Sequence, residues 1–191
     1  MTIHLMALHK LFLILPILIW RPTQSTGLRV ADFELAPTAS PFSNPQGVTV
    51  DPTNETLYVA DTNNSRILIF YNIYDIPTGA APDNVLGQSS ISNTDTLPNR
   101  GSPQPSSDTL NLPQAVFLGG KTLFVADTAN NRVLLWENLA ALSAGEVAAK
   151  IIGQTSGATA LPGSAAGNLH SPVGLFFRAN SLWVADQQNS R

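Results

Sequence analysis

Three aspartates occupy matching places in near-identical settings: Asp61 in VADTNNSR, Asp127 in VADTANNR and Asp186 in VADQQNSR. Each is followed at +3 by an asparagine (Asn64, Asn130, Asn189) and at +5 by an arginine (Arg66, Arg132, Arg191). A carboxylate beside a guanidinium can orient a substrate, stabilise developing charge or help to hold a cation. The repetition argues otherwise. Active centres draw different residues from different parts of a fold, whereas a group used once in every unit is building the unit. In that role the Asp accepts N–H groups of the turn that follows it, and the asparagines (Asn63, Asn64, Asn130 and Asn131) take left-handed backbone. Arg66 and Arg132 open the next strand, where the guanidinium reaches the turn Asp or carbonyls of a neighbouring unit.

The rest of the chemical inventory is thin. No cysteine is present, which excludes thiol catalysis, a thiolate zinc site and a disulfide scaffold. Beyond residue 27 there is one histidine, His170, beside Pro172, which reads as a loop hydrogen-bonder and not as a ligand. DPTNE (51–55) does not have the spacing of a calcium loop, and GSAAG (163–167) is a flexible linker by composition. There is no nucleophile elbow, phosphate loop or dinucleotide fingerprint. No catalytic, cofactor-binding or metal-binding residue is assigned, and no cofactor is expected. The formal charge is -3, with few bases and those dispersed, so nucleic acid is not an expected partner.

What must position the repeated triplets is a set of strands. The chain has 191 residues, only 12% charged, with 13 Gly and 14 Pro, a profile of short strands and turns. Aligned with itself, it gives units at 44–88, 112–154 and 171–191, the last incomplete. Successive Asp positions lie 66 and 59 residues apart, and the Arg positions keep the same intervals. Variation falls between units (and in the first turn), as surface loops would show. Within a unit, VTV, VFL or LFF follows a proline; TLYVA, TLFVA or SLWVA comes next; RILIF or RVLLW follows the Asp turn; and NVLG or KIIG supplies a fourth strand. The apolar runs are continuous, so each sheet is expected to be covered on both faces. An all-β fold follows, of four-stranded antiparallel blades arranged as in a β-propeller. NLAALSAGEVAAK (138–150) reads equally as a helical turn or a wandering loop.

The pattern Pro-x-Gly-Val-x-Val-Asp followed by Leu-Tyr-Val-Ala-Asp-Thr-x-Asn-x-Arg-Ile resembles the NHL repeat, which builds six-bladed β-propellers. The Val-Leu-Gly-Gln between units resembles a subset common in exported bacterial proteins. The resemblance spans Asn44 to Arg191. It departs from the family at the residue before the Arg, often histidine, which here is Ser65, Asn131 or Ser190. Against six blades, this array of two to three is expected to be a truncated product of a longer gene; self-association completing a ring is the alternative.

Residues 1–27 have another character. His4, His9 and Lys10 precede the apolar stretch Leu11–Trp20, and RPTQSTG follows, which is the layout of a secretory signal peptide. Ten apolar residues are too few to span a membrane as a helix, which takes about 20. A buried element of the domain and an uncleaved anchor are the alternatives. Residues 28–43 form a lead-in, with an outer strand as one option. The expected location is secreted or cell envelope. The expected function is a binding or scaffold module that takes protein or glycan on the polar loops 89–110 and 155–169, with tolerated insertions as the plain alternative. The resemblance also admits a propeller hydrolase or lyase, lactonase-like and dependent on a divalent cation, with its catalytic residues in missing blades.

Overall fold

The computed structural model describes residues 42–77, 79–91 and 96–191, with two short paired strands, Thr2–Ile3 (β1) and Trp20–Arg21 (β2). Apart from that strand pair, the expected signal peptide, together with most of the lead-in, lies outside the described residues. Phe42 and Ser43, which end the lead-in, are not in a strand.

The first unit is an antiparallel meander of β3 (Pro45–Asp51), β4 (Thr56–Asp61), β5 (Arg66–Phe70) and β6 (Asn84–Leu86). The second repeats it with β7 (Ala115–Gly119), β8 (Thr122–Asp127), β9 (Arg132–Trp136) and β10 (Lys150–Ile152). β11 (Pro172–Arg178) and β12 (Ser181–Asp186) form the first hairpin of the third. The described residues are all-β apart from short 3-10 turns, and the sheets are β-propeller blades. The segment after β9 takes one 3-10 turn, Leu139–Ala141, and otherwise runs as loop.

Continuous apolar strands are explained by where they lie. Tyr58, Ala60, Ile67, Ile69 and Leu86 of the first blade meet Val116, Leu123, Val125, Leu134 and Trp136 of the second in one dry layer. The alternate residues Leu57, Val59, Leu68, Phe70 and Val85 are buried on the other face of the first sheet. Phe124, Val133 and Leu135 leave the far face of the second blade to pack on Leu175, Phe177, Leu182 and Val184. There Phe124 and Phe177 stack with ring centroids 5.2 Å apart. A strand buried on both faces has no use for polar alternation. The layer is dense: full burial of each Leu, Ile or Val is worth about 1.5–3 kcal/mol against leaving it in water.

The first strands of the three units lie side by side, β3 against β7 and β7 against β11. They approach so closely that a Cβ built on Gly47 would lie 2.9 Å from the Ala115 Cα and the Val116 nitrogen. Leu118 N–H donates to Thr49 Oγ1 at 3.2 Å, tying β7 to β3. At the outer rim, Gly87 and Gly153 form isolated parallel bridges to Thr109 and Asn168. Both glycines have positive φ, +89° and +92°, a conformation that side-chain-bearing residues rarely adopt. A Cβ on either would also run into Leu110 or Leu169, the residue after the bridge partner.

Candidate functional site

Every repeated Asp sits where the second strand of its unit ends, and its two oxygens have separate tasks. Oδ1 of Asp61 accepts from the Ser43 amide at 2.6 Å; Oδ1 of Asp127 accepts from Asn111 N–H, and that of Asp186 from His170 N–H, both at 2.7 Å. These amides precede the unit's own first strand. Oδ2 takes the local groups: Asn64, Asn130 and Asn189 donate through Nδ2 at 2.7–2.8 Å, and Arg66, Arg132 and Arg191 through Nε at 2.7–2.9 Å. The carboxylate thus fastens the incoming chain to the turn. It does not accept the amides of the turn that follows, as the sequence reading had it. That turn is a short 3-10 segment closed by its own backbone, Ser65 N–H to the Thr62 carbonyl at 3.0 Å in the first unit.

The left-handed residue of each turn is Ser65, Asn131 or Ser190, with φ of 51–54°. Of the four asparagines expected in that conformation, Asn131 adopts it, and Asn63, Asn64 and Asn130 lie in the 3-10 segments. The reason is positional: only the residue closing the turn must reverse the chain. Its side chain has a second use. Asn131 Oδ1 accepts from Ser171 N–H at 2.8 Å, and Ser65 Oγ accepts from Leu112 N–H at 3.4 Å, each on the segment entering the next unit.

In the second and third units the remaining guanidinium nitrogens are taken up by the long loops. Arg132 donates to the carbonyls of Ser106, Thr109 and Gly157 at 2.7–3.0 Å. Arg191 does likewise to Ser164, Ala165 and Asn168 at 2.6–3.1 Å. The ion pairs of the first two units are fully buried; in the third, Arg191 is 42% exposed. Burial pushes the Asp127 carboxyl above its ordinary range, against the pull of Arg132, the Asn111 amide and Asn130. At Asp186 burial is outweighed by the His170 amide, Asn189 and Arg191, and its carboxyl sits below that range.

One contributor escaped the sequence reading. The glutamine ending each inter-unit motif caps the turn of its own blade. Gln88 Nε2 donates to the carbonyls of Ser65 and Leu97, and Gln154 Nε2 to those of Asn131 and Leu161, at 2.8–3.1 Å. The signal was present in its recurrence at fixed distance from the Arg, but not its target.

Both polar loops run from the outer strand of one unit to the inner strand of the next, so they share the end of the blades that carries the Asp turns. They are less free than their composition suggests. In 89–110, Arg100 pairs with Asp108 at 2.7 Å, and Asn99 exchanges two amide hydrogen bonds with Asn130. The stretches the loops present to solvent include Leu97–Pro98, Gly101–Gln104 and Ser164–Gly167, with Leu161 73% exposed. A shallow hollow of about 300 Å³ lies at the opposite end, beneath the loop after β5, lined by Phe70, Tyr71, Asp75, Ile76 and Asp83. Asp83 is already committed there, accepting from Tyr71 N–H at 2.7 Å.

Among the described residues no group of three or more His, Asp or Glu is disposed to hold a metal ion, and no helix is long and apolar enough to cross a membrane. His170 enters the motif through its backbone N–H, which donates to Asp186. A search of the curated proteins finds no match to this chain. Residues 42–70, which run from the segment entering the first blade to the end of β5, match the NHL repeat.

Proposed function

We propose that this chain is an extracytoplasmic interaction module that holds a protein or glycan on the loop-bearing end of its blades. The NHL repeat at residues 42–70 supports a β-propeller interaction or scaffold module. One observation carries the reading. The repeated Asp, Asn and Arg side chains have their described bonds inside the blade or on the loops, with Asp61 and Asp127 fully buried, so in the first two units the motif is not exposed chemistry. Binding then falls to the exposed loop tips, which are polar and differ between units. The apolar stretch Leu11–Trp20, with basic residues before it and small ones after it, supports export.

The test is cross-linking mass spectrometry of the tagged full chain in its own cells, with fractionation to locate it. Cross-links are expected to gather on 97–104 and 158–167, and substitutions at Leu161 and Gln104 to weaken capture at least tenfold. Cross-links confined to the opposite end of the blades would overturn the reading.

A further inference from the structure

Each turn offers one outward seat two residues after its Asp, held by Asn63, Ala129 and Gln188, all exposed. The fold is indifferent to what stands there: no hydrogen bond among the described residues engages the Asn63 side chain, and the equivalent turns are built with Ala or Gln. In the first unit alone the seat reads Asp61-Thr62-Asn63-Asn64-Ser65. Asn-x-Ser is an acceptor sequence for N-linked glycan. The Asp two positions ahead supplies the extended form that bacterial oligosaccharyltransferases read.

A second acceptor sequence, Asn54-Glu55-Thr56, serves as an internal comparison. It has Pro52 two positions ahead, and its amide is in use, donating to Asp51 Oδ2 at 2.9 Å. We propose that Asn63 is the attachment site of an N-linked glycan on the exported chain. This rests on the extracytoplasmic reading above. The Asn63 amide nitrogen attacks the anomeric carbon of an oligosaccharide carried on polyprenyl diphosphate. The new N–C bond replaces the sugar–diphosphate C–O bond, polyprenyl diphosphate leaves, and the amide gives up one proton.

The closed turn sets the order of events. Asp61 and Ser65 are fully buried, and Asp61 is bonded to Ser43, Asn64 and Arg66. A transferase that reads the acid and the hydroxyl around the acceptor must meet this segment before the turn closes. Afterwards the sugar stands in a seat open to solvent.

The experiment produces the full chain in bacteria with an oligosaccharyltransferase and its polyprenyl-diphosphate-linked oligosaccharide. The chain is made with its own leader and, in parallel, behind an established export signal, as wild type, Asn63→Ala and Asn54→Gln. Intact mass and peptide mapping follow fractionation. One glycan is expected on the exported wild type and on Asn54→Gln, and none on Asn63→Ala, whose turn matches that of Ala129. An exported chain without glycan, or a glycan retained by Asn63→Ala, overturns the proposal. Modification only behind the added signal upholds Asn63 as the acceptor and refutes the export reading of the leader.

Discussion

Thr62 Oγ1 donates to the Pro113 carbonyl at 2.7 Å, and Thr128 makes the same bond to Pro172 at the same distance. The first residue of each of these two turns thus grips the proline that admits the chain to the next unit. Both bonds are buried. Thr62→Val or Thr128→Val keeps the shape and strands a buried carbonyl, which costs about 1–3 kcal/mol. Either variant is expected to lower the denaturant midpoint of unfolding with the fold otherwise retained, as followed by circular dichroism.

Arg132 and Arg191 make the same bond to their Asp at different depths. Arg132→Met leaves the buried Asp127 carboxylate uncompensated and should cost about 3–5 kcal/mol. Arg191→Met breaks a pair screened by solvent, and its ionic contribution is within about 1 kcal/mol. Chemical denaturation of the two variants side by side checks the ranking.

Gly47 lies where two inner strands touch. Its replacement by alanine sets a methyl 2.9 Å from backbone atoms of Gln114, Ala115 and Val116, none of which can rotate aside. The expected loss is about 1–3 kcal/mol, with displaced amide resonances at Ala115 and Val116. Gly120→Ala is the control: φ is +64° and nothing lies within 4 Å, so only backbone strain of about 1–2 kcal/mol applies and those resonances stay put.

Acid should act unevenly on equivalent turns. The Asp186 carboxyl sits below its ordinary value when folded, so the stability it lends is present above about pH 4 and is lost as pH falls through the folded value. Asp127 has the opposite sign: its folded value is raised, so its contribution is full below about pH 4 and declines as pH rises through the folded value. Titrating from pH 6 to pH 2 should therefore shift the His170 amide proton at lower pH than the Asn111 amide proton. Nuclear magnetic resonance of the two amides reads this directly.

Local chemistry was legible in the sequence and partner choice was not. Prolines before Val-rich runs mark the inner strands, and Ile67–Phe70 and Val133–Trp136 read as doubly covered strands because they lack polar alternation. The Asp–Arg contact, five residues long, was also within reach. The amides that Asp61, Asp127 and Asp186 accept lie 16–18 residues away, at the far side of a hairpin whose packing sets the distance. Composition likewise marked 89–110 as a polar surface loop, but it does not reveal that Asn99 folds back onto Asn130.

The grip of Thr62 on Pro113 has a consequence for how such a chain lengthens. Hook and eye are both encoded within a single copy, the hook after its second strand and the eye at the entrance to its first. A gene that duplicates one copy in tandem therefore delivers a junction already matched, with no new complementarity to evolve. The loops between copies stay free to diverge in length, as the intervals of 66 and 59 residues record.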